Sequence, residues 1–227
     1  MRGAITHTGM VDDLARYWTG IFSTGGDMFG LAGRTSNSIL LYDVLNRYNE
    51  PQRRYHDVYH LWDVVTKLWG LCNDELVNAP REKLQAVWLA AWYHDAIYDP
   101  LRSDNEERSA QLAQHAAAVV ASKQIGSDAA SYIRATQGHQ KRWEGEDEVC
   151  LYLMDVDLSG LGEDSYTKNG LLIREEYAHL SDDEWREGRK KFLESFLGRE
   201  HIFHTEKFRA SHEDKARENM EAELGAI

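Results

Sequence analysis

The stretch AAWYHDAIYDP, residues 90–100, joins an apolar run to an adjacent histidine and aspartate, His94 and Asp95. Upstream, apolar residues recur at positions 84, 87, 88 and 91, which is the spacing of a helix face that packs inward. Asp95 is the next position on that stripe, in a helix expected over about 82–98. An unpaired buried carboxylate is too costly to keep, so Asp95 must be protonated, paired with a cation or bound to a metal.

The rest of the chain also favours helices. It contains three prolines, shows no alternation of strand type, and twice fits the Ser-x-x-Glu capping box that begins a helix, at Ser103–Glu106 and Ser181–Glu184. We therefore predict an all-α fold, with a single domain over residues 1–227. Helices are expected at about 11–22, 37–48, 57–72, 82–98, 104–122, 127–137, 146–158, 164–179, 182–197 and 212–223.

Composition limits the partners of the protein. With 38 acidic and 26 basic residues the net charge is −12, which disfavours long nucleic acids and anionic membranes because both attract positive surfaces. No apolar run reaches the roughly 20 residues of a membrane span, and the N-terminus lacks the order of a signal peptide. Cys72 and Cys150 match no paired-cysteine metal spacing and suit reduced thiols. A cytoplasmic protein is expected.

A second apolar helix carries an inward histidine. In RRYHDVYHLWDVV, residues 53–65, His60 continues through Val64 and Leu68 as one helix stripe. His56 lies near the start of this helix, before Asp57 as a candidate N-cap. A single inward histidine is more often a hydrogen-bonded core residue than a metal ligand, so the role of His60 depends on its neighbours.

A third apolar helix is interrupted by two aspartates. In VCLYLMDVDLSGLG, residues 149–162, Asp157 follows Val149 and Leu153 on one stripe, whereas Asp155 points about 160° away. Asp157 is the better inward candidate, and Asp155 is the alternative. A carboxylate at a helix C-terminus opposes the helix dipole, so a purely structural role explains Asp157 poorly.

These helices together offer His60, His94, Asp95 and Asp157. Two imidazoles and two carboxylates form a ligand set that a divalent cation accepts. Manganese or magnesium is favoured, and iron, cobalt, nickel or zinc remain open, because this mixture of nitrogen and oxygen ligands does not select one metal.

The order His…His-Asp…Asp resembles the HD-domain superfamily of metal-dependent phosphohydrolases. The motifs RYHDVYH, YHDAIYDP, DNEERSA, MDVDLSGLG and AREN resemble, more specifically, a family of predicted metal-dependent phosphohydrolases within it, over about residues 50–223. The resemblance implies an HD-type helical bundle. It also assigns His60, His94, Asp95 and Asp157 as metal ligands, with Asp155 as the fallback for the last.

The activity implied by the resemblance is hydrolysis of a phosphate ester or anhydride. A divalent cation can lower the pKa of water and polarise a phosphoryl oxygen. Asp99 lies four residues after Asp95 and would share its helix face if the helix continued to Pro100, so it is the candidate general acid or base. Asp99 could instead form the Asp-Pro turn. Residues 104–107 are expected to cap the next helix and could orient the site.

The expected substrate is a small phosphorylated metabolite, with a nucleotide preferred. Its phosphate requires donors, and the candidate substrate-binding residues are Arg53, Arg54, His139, Lys141 and Arg142. The negative charge argues against long nucleic acid as a substrate, no membrane partner is expected, and a homo-oligomer is left open.

Two other functions compete with hydrolysis. A di-iron oxygenase, which is a known outcome on the HD scaffold, would need two further histidine ligands, and His139 alone is not enough. A catalytically idle metal- or nucleotide-binding module would keep the ligands without turnover, and the presence of Asp99 argues mildly against it.

Overall fold

The structure is a computed structural model that describes residues 7–22, 31–139 and 147–227. All regular secondary structure in these ranges is helical, which confirms the predicted all-α class. The helices are α1 (His7–Phe22), α2 (Leu31–Tyr48), α3 (Val58–Cys72), α4 (Arg81–Tyr93), α5 (Asn105–Val120), α6 (Lys123–Thr136), α7 (Glu148–Leu158), α8 (Tyr166–Glu176), α9 (Asp182–Leu197) and α10 (Glu206–Leu224), and a 3-10 turn covers Ser159–Gly162.

The chain divides into two compact units. The first unit contains α1 to α6, and the second contains residues 52–55 together with α7 to α10. A single domain over residues 1–227 stays a prediction.

Helix α4 is the central helix of the first unit. Every residue from Ala86 to Tyr93 is buried, because α1, α3, α5 and α6 all pack against this helix. A helix that is apolar all round is typical of a core position. The predicted stripe therefore understated the burial of α4, although its inward residues Val87, Trp88 and Ala91 were correctly identified.

The predicted extent of α4 was wrong at its C-terminus. The helix ends at Tyr93 rather than near residue 98. The N–H of Ala96 closes a tighter turn onto the carbonyl of Tyr93, and the N–H groups of Asp95 and Ile97 bond to side chains of other helices. These amides have left the helical ladder, so His94 and Asp95 lie in the turn that follows α4.

Helices α5 and α6 pack closely through small residues. A Cβ atom added at Gly126 would lie 2.8 Å from the Cβ of Ala117, so only glycine fits this contact without a shift. The predicted capping box at Ser103–Glu106 was wrong: α5 begins after Asp104, whose side chain makes no capping bond. The box at Ser181–Glu184 is confirmed at the start of α9.

The second unit is built around α7 and α10. Both Nδ2 bonds of Asn219 on α10 go to carbonyls of the chain after α7, those of Leu161 at 2.8 Å and Glu163 at 3.3 Å. A Cβ atom at Gly162 would lie 2.7 Å from the carbonyl oxygen of His212, so the 3-10 turn touches the backbone of α10. The AREN motif thus holds the chain segment that follows residues 154–157, which we call the MDVD motif.

None of the helices in the described part of the chain is both long enough and apolar enough to span a membrane.

Candidate metal centre

His60 lies in the first turn of α3, where the sequence placed it. Asp57 is the N-cap of this helix, as predicted, and its Oδ1 accepts the N–H groups of Tyr59 at 2.8 Å and His60 at 3.3 Å. His60 is 7% exposed, and Val64 and Leu68 continue its stripe into the core. The inward orientation predicted for His60 is confirmed.

His94 is oriented by the end of α4. Its Nδ1 lies 2.9 Å from the carbonyl oxygen of Ala91, and the residue is 1% exposed. A carbonyl oxygen can only accept, so Nδ1 carries the proton and the lone pair is on Nε2. A ring N–H bonded to a backbone carbonyl is the arrangement that holds metal-binding histidines in one tautomer.

Three ligand atoms converge in the first unit. Nε2 of His60 lies 3.2 Å from Nε2 of His94, and Oδ2 of Asp95 lies 3.6 Å and 3.3 Å from these two nitrogens. Ligands that bind one ion at about 2.0–2.2 Å are separated by roughly 3–3.5 Å in octahedral or tetrahedral geometry. The side chain of Asp95 is 18% exposed, so the cluster is nearly buried but open on one side. This His/Asp cluster could hold a metal ion.

Asp155 bonds the chain that precedes α10 within the second unit. It is fully buried, which contradicts the prediction that Asp157 points further inward. Its Oδ1 accepts the N–H of His204 at 2.7 Å, and its Oδ2 accepts the N–H and the hydroxyl of Thr205. The helical angle was read correctly, but the chain around residues 204–205 covers the face that carries Asp155.

The ionisation of Asp155 agrees with this structural role. Burial raises the pKa of Asp155 to about 6, against the lowering effect of the bonds from His204 and Thr205. The carboxyl is therefore mostly ionised at pH 7, which suits a group that accepts three hydrogen bonds. Both carboxylate oxygens of Asp155 already accept hydrogen bonds from residues 204 and 205.

Asp157 lies two residues further along α7, in the second unit, and is half-buried. Besides Asp155, it is the other aspartate of the MDVD motif, and the HD resemblance assigns it as a metal ligand. That role stays a prediction at this point.

Asp99 does not share a helix face with Asp95, because α4 ends at Tyr93. The expectation that a continuous helix carries both residues was wrong. One carboxylate oxygen of Asp99 accepts the N–H of Leu101 at 2.9 Å, which is the turn arrangement considered as the alternative. The backbone of Asp99 is bonded in both directions to Asn105. A catalytic role for Asp99 stays a prediction.

The candidate substrate-binding residues occupy different environments. Arg53 is buried, whereas Arg54 is about half exposed and its Nε lies 3.5 Å from Glu175. The backbone of Arg54 is fixed in the second unit, where Oε1 of Glu176 accepts its N–H at 2.8 Å. His139 follows α6 with a φ of 47°, in the left-handed region. Lys141 and Arg142 lie outside the described residues.

An aromatic pair adjoins the cluster. The ring of His56 stacks on Tyr98 with centroids 4.2 Å apart, and it meets the ring of His60 edge-on at 5.6 Å. The sequence predicts only that His56 lies near the start of α3. Its contact with Tyr98 joins two motifs that are far apart in the chain, so helical periodicity could not predict it.

Three polar side chains bond the chain after His94, and of these only Asn105 is among the residues that the sequence indicated as able to orient the site. These are Tyr48 on α2 and Asn105 and Ser109 on α5. Asn105 and Ser109 belong to DNEERSA, where polar residues four apart share a helix face, so a signal existed for them. Tyr48 lies in a region without a motif.

The cluster offers two imidazole nitrogens and a carboxylate oxygen, which are ligands that a divalent cation accepts. Comparison with models of protein families, with curated proteins and with solved structures found no match.

Proposed function

We propose that the protein is a metal-dependent phosphohydrolase of the HD-domain type that acts on a small phosphorylated metabolite, with a nucleotide preferred. The observation that carries the proposal is the convergence of Nε2 of His60, Nε2 of His94 and Oδ2 of Asp95 at 3.2–3.6 Å. Burying two imidazoles and a carboxylate side by side is costly unless a cation or hydrogen bonds compensate for lost hydration.

Asp157 is proposed as the fourth ligand. His60, His94 and Asp95 would supply the other three ligands. The alternative ligand, Asp155, already accepts three hydrogen bonds from residues 204 and 205. The His…His-Asp…Asp order of the HD resemblance supports the same choice.

The proposed ion is manganese or magnesium, with iron, cobalt, nickel and zinc as alternatives to be tested by loading. When bound, such an ion supplies a water of lowered pKa and polarises a phosphoryl oxygen. The chain's own part is to hold the ligands: Asp57 fixes the first turn of α3 beneath His60, and Ala91 fixes the ring of His94.

Proton transfer is assigned to Asp99. The residue is half-buried, and one oxygen of its carboxylate accepts the N–H of Leu101. A carboxylate that is fixed yet partly accessible can accept or donate a proton near a bound substrate. The exposed guanidinium of Arg54 is the candidate partner of the substrate's phosphate.

The charge of the chain supports a small substrate. A net charge of −12 repels a long polyanion but permits one phosphate group that is locally paired with a cation. A panel of nucleoside and sugar phosphates therefore tests the substrate class.

The first experiment measures metal content by elemental analysis after loading with Mn²⁺ and dialysis. We expect about one ion or more per chain in the wild type and loss of that ion in Asp95→Ala and His94→Ala. His115→Ala is the matched control, since it removes an exposed imidazole on α5. Equal retention of Mn²⁺ in wild type, Asp95→Ala and His94→Ala would refute the metal site.

The second experiment tests the reaction. Phosphate release by the Mn²⁺-loaded protein is followed across nucleoside mono-, di- and triphosphates and sugar phosphates, with Asp95→Ala as the blank. Release that depends on Asp95 supports the proposal. Oxygen consumption without phosphate release would favour the oxygenase, and stoichiometric metal without turnover on any substrate would favour the idle module.

A further inference from the structure

The chain after His94 is held by hydrogen bonds to alternate backbone amides. The N–H of Asp95 donates to the hydroxyl of Tyr48 at 3.2 Å, that of Ile97 to Oγ of Ser109 at 3.0 Å, and that of Asp99 to Oδ1 of Asn105 at 3.1 Å. All three acceptors are side chains of other helices in the same unit. We call residues 95–99 the tethered segment.

Two of the tethers also bond the segment in the opposite direction. Nδ2 of Asn105 donates to the carbonyl of Asp99 at 2.9 Å, and the hydroxyl of Ser109 lies 3.4 Å from the carbonyl of Ile97. Asn105 and Ser109 are one turn apart on α5, so they face the segment together. Ser109 is fully buried, where an unsatisfied backbone group would be costly.

Tyr48 forms the third tether from a different helix. It is the last residue of α2 and is fully buried, and its ring lies 6.4 Å from that of His94. The hydroxyl therefore bonds the backbone of one cluster residue while the ring packs beside another. Tyr48 precedes residue 50, so it lies outside the region of the HD resemblance.

We infer that Tyr48, Ser109 and Asn105 are positioning residues that set the direction of the Asp95 carboxylate and of Asp99. The inference rests on the proposed function, because it assigns Asp95 as a metal ligand and Asp99 as the proton-transfer group. A segment without helical bonds has many accessible backbone conformations, and three fixed amides remove most of them. Residues that orient a metal ligand typically change metal affinity about 10–100-fold when they are removed.

The test is the substitution Tyr48→Phe, which removes one hydroxyl and keeps the ring. We expect the Kd for Mn²⁺, measured by calorimetry, to rise about 10-fold or more, and the visible absorption spectrum of the Co²⁺-loaded protein to change. Tyr132→Phe is the matched control, because Tyr132 is a buried tyrosine on α6 of the same unit. It should leave both measurements at their wild-type values.

The α5 tethers allow a rescue experiment. Ser109→Ala and Asn105→Ala should weaken Mn²⁺ binding, and Ser109→Thr, which keeps a hydroxyl, should restore part of the affinity. Asn105→Asp keeps an oxygen for the N–H of Asp99 but loses the donor to its carbonyl, so it should bind Mn²⁺ better than Asn105→Ala. These variants also keep the inference testable if Tyr48→Phe does not fold.

The two levels of proposal fail differently. If the wild type binds neither Mn²⁺ nor Co²⁺, the proposed function is refuted. If the wild type binds metal and folded Tyr48→Phe, Ser109→Ala and Asn105→Ala all retain its affinity and its Co²⁺ spectrum, the positioning role is overturned while the metal site stands. Lower unfolding stability with unchanged metal binding counts against the inference in the same way.

Discussion

Thr205 donates both its backbone N–H and its hydroxyl hydrogen to one oxygen of Asp155, each at 2.7 Å. These two hydrogen bonds indicate that the two aspartates of the MDVD motif have different roles. Asp155 fixes the start of α10, for which Thr205 is the N-cap, and Asp157 is left for the proposed metal.

The substitutions Asp155→Asn and Asp157→Asn should therefore affect different properties, the first the stability of the fold and the second the binding of metal. Asp155→Asn turns an amide NH₂ toward one set of donors, so we expect a loss of about 1–3 kcal/mol in the free energy of unfolding. Asp157→Asn should keep wild-type stability and lose Mn²⁺. Urea unfolding and metal analysis on the same preparations decide the matter, and metal loss in folded Asp155→Asn alone would reverse the assignment.

Asp99→Asn should keep both the fold and the metal while losing turnover. An asparagine retains an oxygen that can accept the N–H of Leu101, so the turn persists, but it cannot transfer a proton. A reduction in kcat of about 10²–10⁴-fold is the usual scale for a positioned acid or base. The measurement is phosphate release at saturating substrate by the Mn²⁺-loaded variant. A kcat equal to that of the wild type would reduce Asp99 to a residue of the turn.

Two glycines inside helices should respond oppositely to alanine. Gly126→Ala places a methyl group 2.8 Å from Cβ of Ala117, and we expect it to cost about 1–3 kcal/mol through overpacking of α5 against α6. A Cβ at Gly188 on α9 meets no atom within 4 Å, so Gly188→Ala should stabilise by about 0.5–1 kcal/mol. Urea titrations of both variants test the contrast, which fails if the two shifts have the same sign.

An ion pair in the second unit gives a pH-dependent prediction. Arg189 on α9 bonds both oxygens of Glu223 on α10, at 2.8 and 2.9 Å, and Tyr166 donates to the same carboxylate. Burial opposes ionisation of Glu223, but the bonds from Arg189 and Tyr166 outweigh it and hold the pKa of Glu223 below its ordinary value of 4.5. Their contribution to stability is present above pH 4.5 and is lost as the pH falls through the lowered pKa.

Arg189→Met should accordingly destabilise the protein at pH 7 by about 1–3 kcal/mol, a value between those of exposed and buried pairs. The difference from wild type should shrink as the pH falls below 4.5. Arg186→Met is the control, since Arg186 pairs with an almost fully exposed Asp183 and should cost little. A difference between wild type and Arg189→Met that grows toward low pH would contradict this account.

Much of the cluster could be predicted from the sequence because its ligands follow helical periodicity. His60 continues the stripe of Val64 and Leu68, and Asp57 has the residue type and place of an N-cap, so both assignments needed only local information. The same holds for the ten α-helices in the described part of the chain, whose existence was predicted although α10 starts at Glu206, well before the expected position 212.

The end of α4 could not be predicted in this way. Ala96 and Ile97 are compatible with a helix, and the break at Tyr93 involves bonds from Asp95 to Tyr48 and from Ile97 to Ser109. These partners are 47 and 12 positions away, so no local pattern contains them. The burial of Asp155 has a similar cause, since the chain that covers it comes from residues 204 and 205.

The chain between α9 and α10 has an unusual consequence for backbone dynamics. Glu213 accepts the N–H groups of Ile202 and Phe203, and Asp155 accepts those of His204 and Thr205, so four consecutive amides outside any helix end on carboxylates. Loop amides normally exchange with deuterium quickly, because small local openings release them. Here release of the first two amides requires separation from α10 and release of the last two requires separation from α7, so these four amides should exchange as slowly as those of the helices that hold them. We therefore expect the amides of residues 202–205 to be among the most slowly exchanging of the second unit.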